Sequence, residues 1–584
     1  MRRGVRRGSL VFLIVGMLVL SLACRRTPSA GSETPAYVAP TAGATVAVPA
    51  PVASDAPGTS ATPAPVAVQR TATPLAGPGT SRGIVEAGFE EPRTLNPLFV
   101  ADPLSEALSR LLFDGLVALD PATGQPVPAL AESWEVSADG TVYTFHLRQG
   151  VRWHDGQPFS AIDVVFTYQR LLDPDVRSPR YSRLAERVKS VELVDSDTVR
   201  ITLIRPDASF LPTLGTIGIV PEHVLGTVLP QQLVTDPFGL SSAVGTGPFM
   251  FGQWMRGVSL TLRTNPDYYR GAPRVPQYTY RVVSTLEELQ QGLADGTIDW
   301  AVVDAAQVGQ FAVPRGVVVE RYPGYELVLV AFQLDPAKSK LFADPRVRQA
   351  LMLGTDRATL VDKVWGDRAR VAEGLQPPAS WAAGEPPVRY AYDPAEAQRL
   401  LEEAGWVPGD DGIRVREGQR LQFRLLATGT DSSRRAVAEL LQQQWRAIGV
   451  AVDLELASWA EVRRRATQER DFDALLIGVL WDVDPDQSAV WSSDSFFDGL
   501  NFGHYLNSEV DQQLVEAVAT TDRAQRTERY RAIEEQVLRD LPVLPIAFPD
   551  VVVVRSERLQ VPVLNALVVR TRVGIEQWNL EGGR

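Results

Sequence analysis

The chain has 584 residues, 45% apolar and 22% charged, enough for two or more domains with their own cores. Its net charge of −12 argues against a nucleic-acid partner, which needs a basic surface, so no nucleic acid is expected. The one cysteine, Cys24, rules out an intrachain disulfide and a cysteine-rich zinc site, and His146, His154, His223 and His504 show no metal-ligand spacing; no metal or cofactor is expected.

Residues 1–24 read as a signal peptide. Arg2, Arg3, Arg6 and Arg7 form its positive end, and the apolar run over 10–22 is too short to span a membrane comfortably. Leu20-Ser21-Leu22-Ala23-Cys24 resembles a bacterial lipobox, which implies lipidation of Cys24 and a membrane anchor through that lipid. Residues 25–82 contain ten prolines among Ala, Thr, Ser, Gly and Val and are expected to form a disordered linker.

Folding is expected from Gly83 onward. Residues 84–89 read as a strand. Asp102 caps a helix with Pro103 at its first position; Leu104, Ala107, Leu108, Leu111 and Leu112 form its buried face and Gly115 ends it. Residues 129–172 carry the densest pattern. Ser137-Ala138-Asp139-Gly140 makes a turn, and Tyr143, Phe145 and Leu147 share one face of the strand that follows. Trp153-His154-Asp155-Gly156 makes a second turn. Ser160 and Asp163 then cap a helix with Ala161, Val164, Val165, Tyr168, Leu171 and Leu172 on one face. Gly245-Thr246-Gly247-Pro248-Phe249 lacks both the third glycine of a dinucleotide site and the lysine of a phosphate loop. Asp344-Pro345 and Asp393-Pro394 open two further helices.

Residues 421–456 read as a strand–helix–strand unit, so the two strands should be parallel. Residues 474–480 form a nearly unbroken apolar strand, which predicts burial on both faces. That strand ends abruptly in Trp481-Asp482-Val483-Asp484-Pro485-Asp486. Residues 526–538 are helical, with Tyr530, Ile533, Val537 and Leu538 buried.

Many of these strings resemble those of solute-binding family 5, the oligopeptide- and dipeptide-binding lipoproteins of bacterial ABC importers. The resemblance lies in residues 131–134, 139–156, 163–167, 245–249, 265–269, 344–351 and 393–406, and it covers most of 83–584. It implies an α/β, two-lobed, periplasmic-binding-protein-like (type II) fold with an interdomain ligand cleft. Domain I would comprise residues 83–322 and 548–584, and domain II residues 323–547. The implied function is peptide capture by hinge closure and delivery to an ABC permease driven by a separate ATPase. The protein would be a monomer outside the cytoplasmic membrane, at the cell surface or in the periplasm.

In the peptide binders of this family an aspartate on the turn after that strand pairs with the peptide's α-ammonium. Asp482 is the positional match and Asp484 the next. Ligands of open α/β sheets bind beyond the carboxyl ends of the strands, where this turn lies. Trp481, Trp459 and Trp491, with Phe496 and Phe497, would either line a permissive pocket or pack the core. The resemblance leaves the solute open: a peptide, or an oligosaccharide or opine. A surface sensor lipoprotein without a transport role is the other alternative. No G-x-S-x-G, H-E-x-x-H or glycine–lysine loop is present, so no enzymatic activity is expected.

Overall fold

The computed structural model describes residues 82–581. The leader with Cys24 and the linker through residue 81 lie outside the described residues, as does the side chain of Phe497.

Alternation along two neighbouring strands organises one lobe. Glu326–Phe332 and Ala474–Leu480 run antiparallel at the centre of a six-stranded sheet. Val328, Val330, Phe332, Ala474 and Leu476 enter one core, while Leu327, Leu329, Ala331, Leu475, Ile477 and Val479 enter another. Successive side chains point to opposite faces, so a strand buried on both sides must be apolar throughout. Ser432–Ala447 covers the first face through Trp445, and Arg523–Asp540 covers the second through Tyr530 and Ile533. Gln422–Thr428 and Ala451–Ala457 are parallel, as the strand–helix–strand spacing predicts. Gln422–Thr428 is also parallel to Ala474–Leu480, so three carboxyl ends share one sheet edge.

The other lobe is built on a seven-stranded sheet in which Ile84–Gly88 lies parallel to Gln277–Val282 and Trp300–Val303. A four-stranded antiparallel sheet carries Ala131–Val136 and Val142–Leu147, and Phe145, Trp153, Tyr168 and Phe210 share this lobe's core. The helix Ala161–Leu171 starts where the capping pattern predicts: Asp163 Oδ2 accepts the Ser160 N–H at 2.9 Å. Asp163 Oδ1 also accepts the Glu222 N–H at 2.9 Å. Phe166 and Thr167 are buried as well, although the single-face pattern omits them, because the Val220 N–H bonds Thr167 Oγ1 at 3.0 Å and closes a second side of the helix.

The helix after Asp102 is shorter than expected. It spans Pro103–Ser109, and Arg110 caps its end. Leu111 and Leu112 are buried in the turn that follows, where their carbonyls accept the N–H groups of Phe249 (2.9 Å) and Gly247 (2.8 Å). This close backbone contact explains the glycines of the 245–249 string: a Cβ on Gly245 would lie 1.8 Å from the Leu112 carbonyl oxygen. His154 clamps the same string. Its Nδ1 accepts the Gly245 N–H at 3.0 Å, so Nε2 carries the proton and donates to the Gly247 carbonyl at 3.1 Å. Burial lowers the pKa of this ring to about 4.

The chain crosses between the sheets twice, between Tyr322 and Glu326 and between Pro549 and Val551. Val551–Ser556 then inserts between Trp300–Val303 and Val317–Tyr322. At the C-terminal end Arg572 makes a buried ion pair with Glu86 on the first strand and lies over the Trp300 ring, 4.5 Å from its centroid. The two crossings touch: a Cβ on Gly324 would lie 2.3 Å from the Pro549 carbonyl oxygen.

Two outcomes are expected. Gly324→Ala should destabilise the chain by about 1–3 kcal/mol, read as a shift in the denaturation midpoint, because the added methyl forces the crossings apart. For His154 the folded pKa lies below the unfolded value. Its contribution is therefore fully present above about pH 6.5 and is lost as pH falls towards about 4. Denaturant titrations across that window should lose on the order of 2 kcal/mol more in the wild type than in His154→Asn.

Candidate ligand site between the lobes

The turn after Leu480 leaves the shared carboxyl edge and meets the other lobe. Its start is fixed by the Trp481 N–H, which bonds the Tyr325 carbonyl at 3.0 Å, and by the Trp481 carbonyl, which accepts Arg570 Nη1 at 2.6 Å. The Trp481 ring is buried, 6.3 Å from that of Trp491.

The three aspartates of the turn meet different partners. Asp484 is buried and takes both arms of Arg526, at 2.9 and 2.6 Å; Arg526 also donates to the Tyr530 hydroxyl at 2.9 Å. Burial pushes the Asp484 carboxyl up, against the pull of Arg526. Asp486 faces the other lobe and accepts Arg187 Nη2 at 2.8 Å, while Arg187 Nη1 bonds Asp207 (3.0 Å) and the Ser209 hydroxyl (2.8 Å). Burial works to raise the Asp486 carboxyl, but Arg187 and the Ser488 hydrogen bonds outweigh it and hold it at about 2.

Asp482 is the most open of the three, its side chain 32% exposed. Oδ1 accepts the Val483 N–H at 2.8 Å, and the carboxylate stands 3.7 Å from both Arg183 and Arg570. It lines a cavity of about 130 Å³ between the lobes, together with Glu106, Arg110, Arg180, Arg183 and Arg570. Glu106 is partly buried, its side chain one-third exposed; that burial favours its neutral form, but Arg110 and Arg180 override it and hold it at about 2. The lobes also meet in an apolar contact of Leu119 and Leu567 with Val483, and in the Ala208 N–H bonding the Val518 carbonyl at 2.7 Å.

Of the five residues singled out on this side of the molecule, Asp482 lines the cavity. Asp484 is occupied by Arg526. Trp491 is buried in the core, its indole N–H bonded to Gln487 Oε1 at 2.7 Å, so it does not present a ring to the cleft. Trp459 opens the helix Trp459–Arg464 on the same sheet edge, 48% exposed and outside the cavity lining. Trp481, the fifth, is buried beside Trp491. Sequence reasoning missed the arginines. Glu106 and Arg110 are four residues apart at a helix end, a local signal for an ion pair. Arg180, Arg183 and Arg570 come from distant segments and carry no local signature.

Residues 125–499 match the family model of bacterial extracellular solute-binding proteins, family 5. The chain is 29% identical over 482 residues to the oligopeptide-binding protein AppA of Bacillus subtilis, covering 82% of this chain and 88% of that protein. The structure of AppA in complex with a nonapeptide superposes with a TM-score of 0.75 at 28% identity, over 86% of this chain and all of that one. NikZ of Campylobacter jejuni, in complex with Ni(L-His), gives a TM-score of 0.75 at 28% identity, over 85% of this chain and 99% of that one. Both are built on the same two lobes, and the chain belongs to the bacterial extracellular solute-binding proteins of family 5.

Proposed function

We propose that this protein is the extracytoplasmic receptor of an ABC importer and captures peptides in the cavity at Asp482. One observation carries the reading: a partly open carboxylate at the carboxyl edge of a parallel strand group, facing a cavity walled by both lobes. Closure about the crossings at Gly324 and Asp550 would enclose the solute, and the closed form would dock on a permease whose ATPase is a separate chain. Asp482 would meet the peptide's ammonium. Trp481, Asp484 and Trp491 would hold the turn in shape from behind, and Trp459 would flank the entrance. The peptide assignment draws on the similarity to AppA, whose complex contains a nonapeptide.

We further propose that the protein is a monomer and a binder with no catalytic turnover. Residues 1–24 would direct export, Cys24 would carry the lipid anchor, and residues 25–82 would tether the lobes near the membrane, at the cell surface or in the periplasm. One lipid-modified cysteine with several acyl chains anchors stably, whereas one chain alone is marginal.

Mass spectrometry of small molecules released on denaturing the purified chain should recover peptides, and calorimetric titration should show Asp482→Ala weakening their binding at least tenfold, about 1.4 kcal/mol. Unaltered affinity in that variant would remove Asp482 from the site. In cell fractionation, Cys24→Ser should move the protein from the membrane to the soluble extracytoplasmic fraction; retention on the membrane would refute the lipid anchor.

A further inference from the structure

The charges around the interlobe cavity do not balance. Among the described residues that line it, Arg110, Arg180, Arg183 and Arg570 stand against Glu106 and Asp482, a surplus of two positive charges in a chain whose net charge is −12. Arg187, beside the same turn, shows what a structural arginine looks like here: two carboxylates and a hydroxyl accept its hydrogen bonds. Arg180 and Arg183 are not saturated in this way, and Arg570 spends one donor on the Trp481 carbonyl at 2.6 Å. Arg110 gives Nη2 to Glu106 at 2.8 Å and to the Thr216 hydroxyl at 3.2 Å, and Nη1 to the Thr216 carbonyl at 3.3 Å, while Arg180 approaches the Glu106 oxygen at 3.4 Å. Arg183 and Arg570 stand 3.7 Å from Asp482, beyond hydrogen-bonding distance, so these are charge contacts alone.

Each guanidinium has five N–H donors. Among the described residues, the side chains of Arg180 and Arg183 donate no hydrogen bond, and Nε of both Arg110 and Arg180 is buried without a partner. Convergent, unsaturated guanidiniums around a concave site match planar anions, which they hold in bidentate fashion. Low-dielectric walls concentrate their field on the cavity. As scaffold alone the cluster would be unfavourable, because converging like charges repel and unsatisfied donors are costly.

We infer that this site selects solutes carrying more carboxylates than ammonium groups. This rests on the reading above that Asp482 lies at the solute site. Asp482 accommodates a single ammonium, and the arginines then take the C-terminal carboxylate and at least one acidic side chain. For a peptide importer the cargo is therefore short acidic peptides; a peptide-free polycarboxylate offers the same chemistry.

The test is calorimetric titration of the purified full-length chain with the near-isosteric dipeptides Glu-Glu and Gln-Gln and with the amine-free dicarboxylate glutarate. Glu-Glu should bind at least tenfold more tightly than Gln-Gln, and the ratio should shrink as salt is raised, since exposed charges are screened. Arg183→Gln should reduce the ratio to threefold or less. Arg183 is 46% exposed and, among the described residues, its side chain donates no hydrogen bond, so its replacement removes no bonded scaffold contact; Arg570→Gln provides a second reading of the same ratio. Equal affinities, or a preference for Gln-Gln, overturn the charge inference and leave the peptide reading standing. Glutarate binding without either dipeptide supports the charge inference and removes the peptide reading. No binding of any of the three overturns both. A wild-type ratio that persists in both arginine variants also overturns the inference.

Discussion

A single guanidinium, that of Arg187, is held by carboxylates from both lobes. Asp207 comes from its own lobe and Asp486 from the turn of the other, and all three side chains are largely buried. Charges withdrawn from water are tolerable only when their hydrogen bonds are satisfied, and here Ser209 and Ser488 complete the set. The contact fixes the far end of the turn against the opposite lobe. Asp484 and Arg526 hold the middle of the turn from behind. Asp482, between the strand and these two anchors, is thereby stationed over the cavity with little freedom to retract.

The turn shows how environment, not residue type, sets the role of a carboxylate. Three aspartates within five positions meet three settings. One is enclosed with a bidentate arginine, one is bound across the lobe boundary, and one is partly wet beside two arginines that approach without hydrogen bonding. Fully bonded pairs stabilise one geometry. Loosely approached groups keep donors and acceptors unsatisfied, which is why the proposed solute site is the cavity around Asp482 and not the turn as a whole.

Much of the scaffold was legible because its causes are local. A two-residue alternation with no polar interruption places Ala474–Leu480 between two cores, and a strand–helix–strand spacing makes Gln422–Thr428 parallel to Ala451–Ala457. Caps at Asp102, Asp344 and Asp393 mark helix starts because each side chain bonds an N–H two or three residues on. Failures came where distant backbone intervened. The helix after Asp102 stops at Ser109 because the carbonyls of Leu111 and Leu112 pair with Phe249 and Gly247. Phe166 and Thr167 are buried because the segment near Val220 covers a face that periodicity leaves to solvent.

The sequence by itself determined the alternating strands, the capped helices, the family resemblance and the place of an acidic turn at a strand end, since each depends on neighbours within a few positions. Only the tertiary structure decided which aspartate stands at the cavity and what surrounds it. Arg110, Arg180, Arg183 and Arg570 meet there from segments far apart in the chain, and Asp484 is withdrawn by Arg526 from a helix further on. Electrostatic interaction depends on distance through space and on burial, and neither is encoded in the spacing of residues along the chain.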